Sequence, residues 1–261
     1  MKTRIITAIV AILLFFPFVI FGGWPFYIVM LFISSLGLYE LFNMREMHKY
    51  LVPTIFSMGL LWVFLLPQID SLMPLKNAQQ EVLIGLVILL LGYTVLVKNK
   101  FTFEDAGFMV ITAIYIGLGF HYFIETQRVG LEYIFFAIIV ILATDTGAYF
   151  SGRIFGKRKL WPEISPNKTI EGAVGGMLLA TTLGVAFHLI FPVHESIIIV
   201  GLVALLSSAV GQVGDLVESA FKRYYHVKDS GKLLPGHGGI LDRFDSWLFV
   251  FPFLYLIQFI G

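Results

Sequence analysis

The sequence predicts an all-α, polytopic integral membrane protein with about nine transmembrane helices, and three observations carry that prediction. Of the 261 residues, 58% are hydrophobic and 13% charged, against roughly 45–50% and 25% in a soluble domain; mean hydropathy is +0.87. Apolar runs close to the ~20 residues needed to cross the hydrocarbon recur along the chain. Lys and Arg gather in every second connection between those runs.

Taken in order, the apolar runs fall at 5–21, 24–42, 51–67, 82–97, 107–124, 132–150, 172–191, 196–217 and 243–260. The first follows Lys2 and Arg4 in the manner of a secretory signal, but no small-x-small cleavage site follows, so it reads as a retained span. Gly22, Gly23 and Pro25 make a tight hairpin of the first pair; merging these two leaves an eight-span reading open. With nine spans, the N-terminus shares a side with connections 43–50, 98–106, 151–171 and 218–242. Together with Arg243 at the last boundary, that side holds 16 of the 18 Lys and Arg, leaving Lys76 and Arg128 opposite. Basic residues resist translocation, so the crowded side is expected to be cytoplasmic, at the plasma membrane.

The chain has no Cys, which excludes disulfides, thiolate metal sites and a Cys nucleophile. A net charge of +1 gives no support for nucleic-acid binding. Nothing suggests a tandem repeat or a second domain. Residues 1–261 read as a single membrane domain, with an N-terminal helical part over 1–130 and the chemistry concentrated in 131–261.

Carboxylates inside apolar spans are costly and usually mark function. Asp145 lies late in the sixth span, in "ILATDTGAYF", with Tyr149 four residues on and therefore on the same face. Asp215 and Glu218 lie in "GQVGDLVES", at the expected cytoplasmic end of the eighth span, and Asp242 and Asp245 open the ninth in "LDRFD". Residues three apart share a helix face. Carboxylates converging at one depth repel unless protonated or bridged by cations, and such oxygen donors suit Mg²⁺. The alternative for Asp242 and Asp245 is a plain helix N-terminus, where negative charge is stabilised. That alternative is unavailing for Asp215, which the expected boundaries put near a helix C-terminus.

The connection after the eighth span, "KRYYHVKDSGKLLPGHGGILDRFD", places Lys222, Arg223, Lys228 and Lys232 beside these carboxylates, a supply of cationic donors suited to polyphosphate. Gly238 and Gly239 let backbone N–H groups approach an anion. His237 reads equally as a phosphate donor or a loop staple. Each basic residue taken singly is a topology marker; their concentration beside the carboxylates is what argues for binding. In the connection over 151–171, "GRIFGK" is one residue short of a P-loop and has Arg after the Lys, so it is rejected. "SPNKTIEG" reads as a turn and then a helix start, with Lys168 and Thr169 near a helix N-terminus, a place suited to phosphate.

Residues 219–245, "SAFKRYYHVKDSGKLLPGHGGILDRFD", resemble the signature of the phosphatidate cytidylyltransferases, also called CDP-diacylglycerol synthases, at every fixed position. "TDTGAY", "GRIFGK" and "ISPNKTIEG" are similar to the same family, so the resemblance covers roughly residues 140–246. It implies that CTP and phosphatidate react to give CDP-diacylglycerol and pyrophosphate, with Mg²⁺ required. It also implies that Asp215 and Asp242 are the metal ligands, with a second, monovalent cation alongside. The expected catalytic group is Asp215, Asp242, Lys222, Arg223, Lys228 and Asp245. Expected substrate contacts are Ser219, His237, Gly238, Gly239, Arg243, Lys168, Thr169, Asp145 and Tyr149. The expected partners are the two substrates and membrane lipid; oligomeric state, a homodimer included, is left open.

Two rival classes fit less well. A transporter would favour broken spans in two matching halves, whereas the ionisable residues here crowd the last third. The CDP-alcohol phosphotransferases need a D-G-x-x-A-R motif that this chain lacks. A CTP-dependent relative acting on a polyprenyl or archaeal lipid differs in substrate alone, and patterning does not separate it.

Overall fold

The computed structural model describes residues 2–66 and 77–260, most of them helical. In chain order the helices are α1 (Lys2–Phe21), α2 (Gly23–Met44), α3 (Leu51–Phe64), α4 (Gln79–Leu96), α5 (Phe103–Val129), α6 (Leu131–Phe155), α7 (Ile170–Ile190), α8 (Ile197–Tyr224), α9 (Leu241–Phe244) and α10 (Trp247–Leu256). Helices dominate because backbone N–H and C=O groups find no partner in hydrocarbon except within the segment itself.

Among the described residues, six helices are long and apolar enough to cross a membrane: α2 and α4 to α8. Three shorter apolar helices, Val10–Phe21, Leu51–Phe64 and Trp247–Leu256, match the remaining expected spans. Every expected span thus has an apolar helix, and among the described residues six of them are long and apolar enough to cross. At 1.5 Å per residue the ten residues of α10 cover only about 15 Å. The last expected span is broken because Asp245 and Ser246 interrupt the helix between α9 and α10. Residue 67, the end of the third expected span, and Lys76 lie outside the described residues.

Two further expectations need correction. The turn read at the start of "SPNKTIEG" is a strand: β1 (Lys159–Trp161) pairs antiparallel with β2 (Ser165–Thr169), and α7 starts directly after it at Ile170. The helix bearing Asp215 does not end near 217 but runs to Tyr224, because the polar residues after 217 continue its helical spacing. Asp215 is therefore well inside α8, beyond the last turn over which the macrodipole acts. Lys222 and Arg223 stand on that helix rather than in a loop.

The chain forms two compact units: Met1–His121 with Asp229–Leu241, and Tyr122–Lys228 with Asp242–Gly261. In the first, α2 packs on α1 and α3, and α3 on α4. Phe26, Met30, Leu38, Leu41 and Phe42 of α2 are buried. Arg45 at the end of α2 holds Asp105 at the start of α5 at 2.8 Å. Along α4, Ile84, Ile88, Val95 and Leu96 point outward, as befits a lipid-facing surface.

The second unit centres on α6, α7 and α8, with α10 against α8. The α6–α7 contact is made by small residues that let two backbones meet, the usual device where lipid removes the hydrophobic driving force. A Cβ on Gly147 would lie 2.8 Å from the Gly175 carbonyl oxygen, and one on Gly176 would lie 2.7 Å from that of Thr144. Across the other interfaces, Thr144 donates to Ser208 at 2.7 Å and Gln212 Nε2 to the Ala173 carbonyl at 3.3 Å. Gly176→Val should force α7 away from α6. We expect a melting midpoint several degrees lower in detergent, while Val174→Ile, at an exposed position, leaves it unchanged. An unshifted midpoint for Gly176→Val would rule out the close backbone contact.

Candidate active site

The second unit gathers most of the ionisable residues singled out by the sequence. Asp215, Glu218, Ser219 and Lys222 recur every three or four residues on α8, so they line one face of it. Lys222 Nζ sits 2.6 Å from Glu218 Oε2 on its own helix and 2.6 Å from Asp242 Oδ1 at the start of α9. The three side chains are 14%, 2% and 7% exposed. A buried ion pair gains stability only when geometry and further hydrogen bonds offset desolvation; here one ammonium is shared between two carboxylates at short distance. The remaining Glu218 oxygen, Oε1, is buried and has no hydrogen-bond partner among the described residues.

One turn earlier on α8, Asp215 pairs with Lys168 at 2.5 Å and faces Ser219 Oγ at 3.4 Å. Lys168 reaches it from β2, whose last residue, Thr169, caps α7 by accepting from Gly172 N at 3.1 Å. Glu171 accepts the N–H groups of Lys157 and Arg158, and Arg158 O accepts from Ile170 N at 3.0 Å. These bonds close the hairpin onto α7 and so fix Lys168. Asp145 on α6 and Asp245 between α9 and α10 both repel Asp215, while Lys168 and Arg243 attract Asp145. Asp245 Oδ1 accepts from Ser246 N at 2.7 Å.

Five carboxyl groups (Asp145, Asp215, Glu218, Asp242 and Asp245) therefore meet three cationic side chains (Lys168, Lys222 and Arg243). Such an oxygen-rich, negatively unbalanced set suits a hard divalent cation. Among the described residues no three His, Asp or Glu side chains form a ready metal cage. Two carboxylates with remaining positions left to water and substrate phosphate is the way Mg²⁺ is commonly held.

The other predicted residues fall elsewhere. Tyr149 is exposed on α6 and accepts from Arg153 Nη1 at 3.3 Å. Arg223 donates from Nε to the Ile164 carbonyl at 3.2 Å, tying α8 to the turn of the hairpin. Lys228 is exposed just beyond α8. His237, Gly238 and Gly239 belong to the first unit, in the segment Asp229–Leu241. There Leu234 N donates to Gly238 O at 2.9 Å and His237 N to Leu234 O at 2.9 Å, while His237 Nδ1 is buried with no hydrogen-bond partner among the described residues. Sequence reasoning passes over Glu40, a buried carboxyl on α2 that binds this same segment. The signal that singles out Asp145, a carboxylate inside an apolar span, applies equally to it.

Comparison with known proteins gives a consistent picture. The profile of the family described as "Cytidylyltransferase family" matches residues 2–260. A Bacillus subtilis protein named phosphatidate cytidylyltransferase is 51% identical over 261 residues, covering 98% of this chain and 97% of that one. Proteins of the same name from Staphylococcus haemolyticus and Staphylococcus aureus are 46% and 44% identical over 257 residues, each covering 98% of both chains.

Replacing Lys222 isolates the central interaction. Lys222→Met keeps the apolar stem but leaves Glu218 and Asp242 buried without their cation, a loss of about 3–5 kcal/mol for breaking such a pair. Thermal unfolding in detergent should show the drop. A wild-type midpoint would mean that the two carboxylates are held by something else.

Proposed function

The chain belongs to the cytidylyltransferase family, and from that premise we propose that it transfers the cytidylyl group of CTP to phosphatidate, releasing pyrophosphate and forming CDP-diacylglycerol for phospholipid synthesis, in a Mg²⁺-dependent reaction at the cytoplasmic face of the plasma membrane. The observation that carries this reading is the cluster of carboxylates and lysines at the ends of α8 and β2 and the start of α9, in a chain about half identical to a curated phosphatidate cytidylyltransferase.

The chemistry suits the parts. A phosphatidate oxygen forms a bond to the α-phosphorus of CTP as the bond from that phosphorus to the bridging oxygen breaks, and pyrophosphate departs with the electron pair. The attacking phosphate is already anionic, so no strong general base is required. Positioning and electrostatic stabilisation then dominate, as in phosphoryl transfer generally. Asp215 and Asp242 would hold Mg²⁺, with a monovalent cation as the proposed companion. When bound, Mg²⁺ supplies charge neutralisation on the reacting phosphates. Lys168 and Lys222 would exchange their carboxylate partners for substrate phosphate, and Arg223 and Lys228 would add positive charge for it. Thr169 leaves the N-terminal N–H groups of α7 close to Lys168, a favourable setting for an anion.

Orientation rests on charge. With nine crossings, 16 of 18 Lys and Arg lie on one side, which we assign to the cytoplasm. Because the chain has no Cys, Lys159→Cys and Lys232→Cys can be labelled cleanly. Both should resist an impermeant maleimide applied to intact cells and react after permeabilisation; labelling from outside contradicts the orientation.

The metal assignment is tested with purified Asp215→Asn and Asp242→Asn. Asn keeps the size and one oxygen but removes the charge that attracts Mg²⁺. We expect both variants to insert normally and to lose nearly all Mg²⁺-dependent incorporation of radiolabelled CTP into phosphatidate. Substantial turnover by either at low Mg²⁺ would remove that residue from the metal site.

A further inference from the structure

Glu40 stands on α2 and is 6% exposed. Its Oε1 accepts from Ile240 N at 2.8 Å, and its Oε2 accepts from Leu241 N at 3.0 Å and from Ser230 Oγ at 2.9 Å. Ser230 itself is 5% exposed. One carboxyl group thus ties the first residues of the segment Asp229–Leu241 to its last, closing a loop whose middle is folded by the Leu234–Gly238 bridge. Bringing the ends of such a loop together costs chain entropy, and these three bonds offset it.

The loop is shaped around that carboxyl. A Cβ on Gly231 would come 2.5 Å from Glu40 Oε1 and 2.8 Å from its Cδ, and a Cβ on Gly239 would collide with Ser230 Oγ and both Glu40 oxygens. The second Gly of "HGG" is therefore required by Glu40. One turn earlier on α2, Gly37 makes room for Leu241, whose Cδ2 would lie 3.2 Å from a Cβ there. A buried polar network is often no more stable than an apolar replacement, so its use is in fixing geometry.

We propose that Glu40 is a positioning residue for the transfer reaction. It holds the two ends of the 229–241 loop together, so that the loop keeps its fold and holds His237, Gly238 and Gly239 in place. The proposal rests on the function proposed above. Glu40 acts through the loop and touches no substrate.

The experiment uses the full chain, purified in detergent, as wild type, Glu40→Ala, Glu40→Gln, Gly231→Ala and Glu40→Ala/Gly231→Ala. Three readouts are taken: initial rates with CTP and phosphatidate normalised to folded protein, hydrogen exchange of the peptide covering residues 229–241, and the melting midpoint. For Glu40→Ala we expect exchange in that peptide and kcat each to change by at least about tenfold, the scale of losing hydrogen bonds to a charged group, with KM for both substrates altered far less. Glu40→Gln, which keeps the Oε1 acceptor, should recover part of both. Gly231→Ala should impair the wild type yet add little in the Glu40→Ala background, where the colliding atoms are gone. If Glu40→Ala does not fold, Glu40→Gln carries the same readouts. A loop that opens while kcat per folded molecule stays at the wild-type level overturns the proposal, since Glu40 is then structural only. Lost kcat with unchanged exchange also overturns it, because Glu40 would then act other than through the loop. An inactive wild type would instead count against the proposed function, while the exchange data would still report on the anchor.

Discussion

Lys222 holds one ammonium between Glu218 and Asp242, 2.6 Å from each, and much of the second unit depends on that arrangement. Without it, two nearly buried carboxylates would face each other with nothing to offset their repulsion or their desolvation. With it, the end of α8 and the start of α9 are locked in register, which fixes Asp242 and, three residues on, Asp245. The Lys168–Asp215 pair repeats the device one turn away, joining the β-hairpin to α8. Both lysines neutralise carboxylates that would otherwise stand unpaired.

The electrostatics work only because the helices carrying them approach closely. The small-residue seam between α6 and α7 brings Asp145 to the side of the cluster from which Lys168 also arrives. Larger residues there would separate the backbones and dilute the charge density. Thr169 links the two levels directly, since the residue that ends β2 also caps α7, and Lys168 precedes it. Packing and chemistry are thus set by the same few residues.

The same logic of a buried carboxyl finding partners across a long stretch of sequence appears in the first unit. Glu40 meets Ser230, Ile240 and Leu241 about 190 to 201 positions away. There the partners are backbone N–H groups and a hydroxyl rather than lysines. Glycines at 231 and 239 become a packing requirement, because a Cβ at either would collide with the Glu40 carboxyl.

The sequence by itself determined the membrane class, the order of the apolar segments and the family resemblance. Composition and run length are local properties, and the "KRYYHVKD…HGGILDRFD" run carries its resemblance in consecutive residues. Asp145, Lys168, Asp215, Lys222, Asp242 and Asp245 were all legible as ionisable groups in apolar or basic surroundings. Their partners were not. That α8 continues past 217, that Asp215 faces Lys168, and that Lys222 serves two carboxylates twenty residues and one turn away depend on how helices dock. The breaking of the last span, the hairpin over 159–169 and the grip of Glu40 likewise depend on it. Pairings between distant residues are chosen by close backbone approach and by the need to neutralise buried charge. Only the tertiary structure decides which charges are near enough to do so.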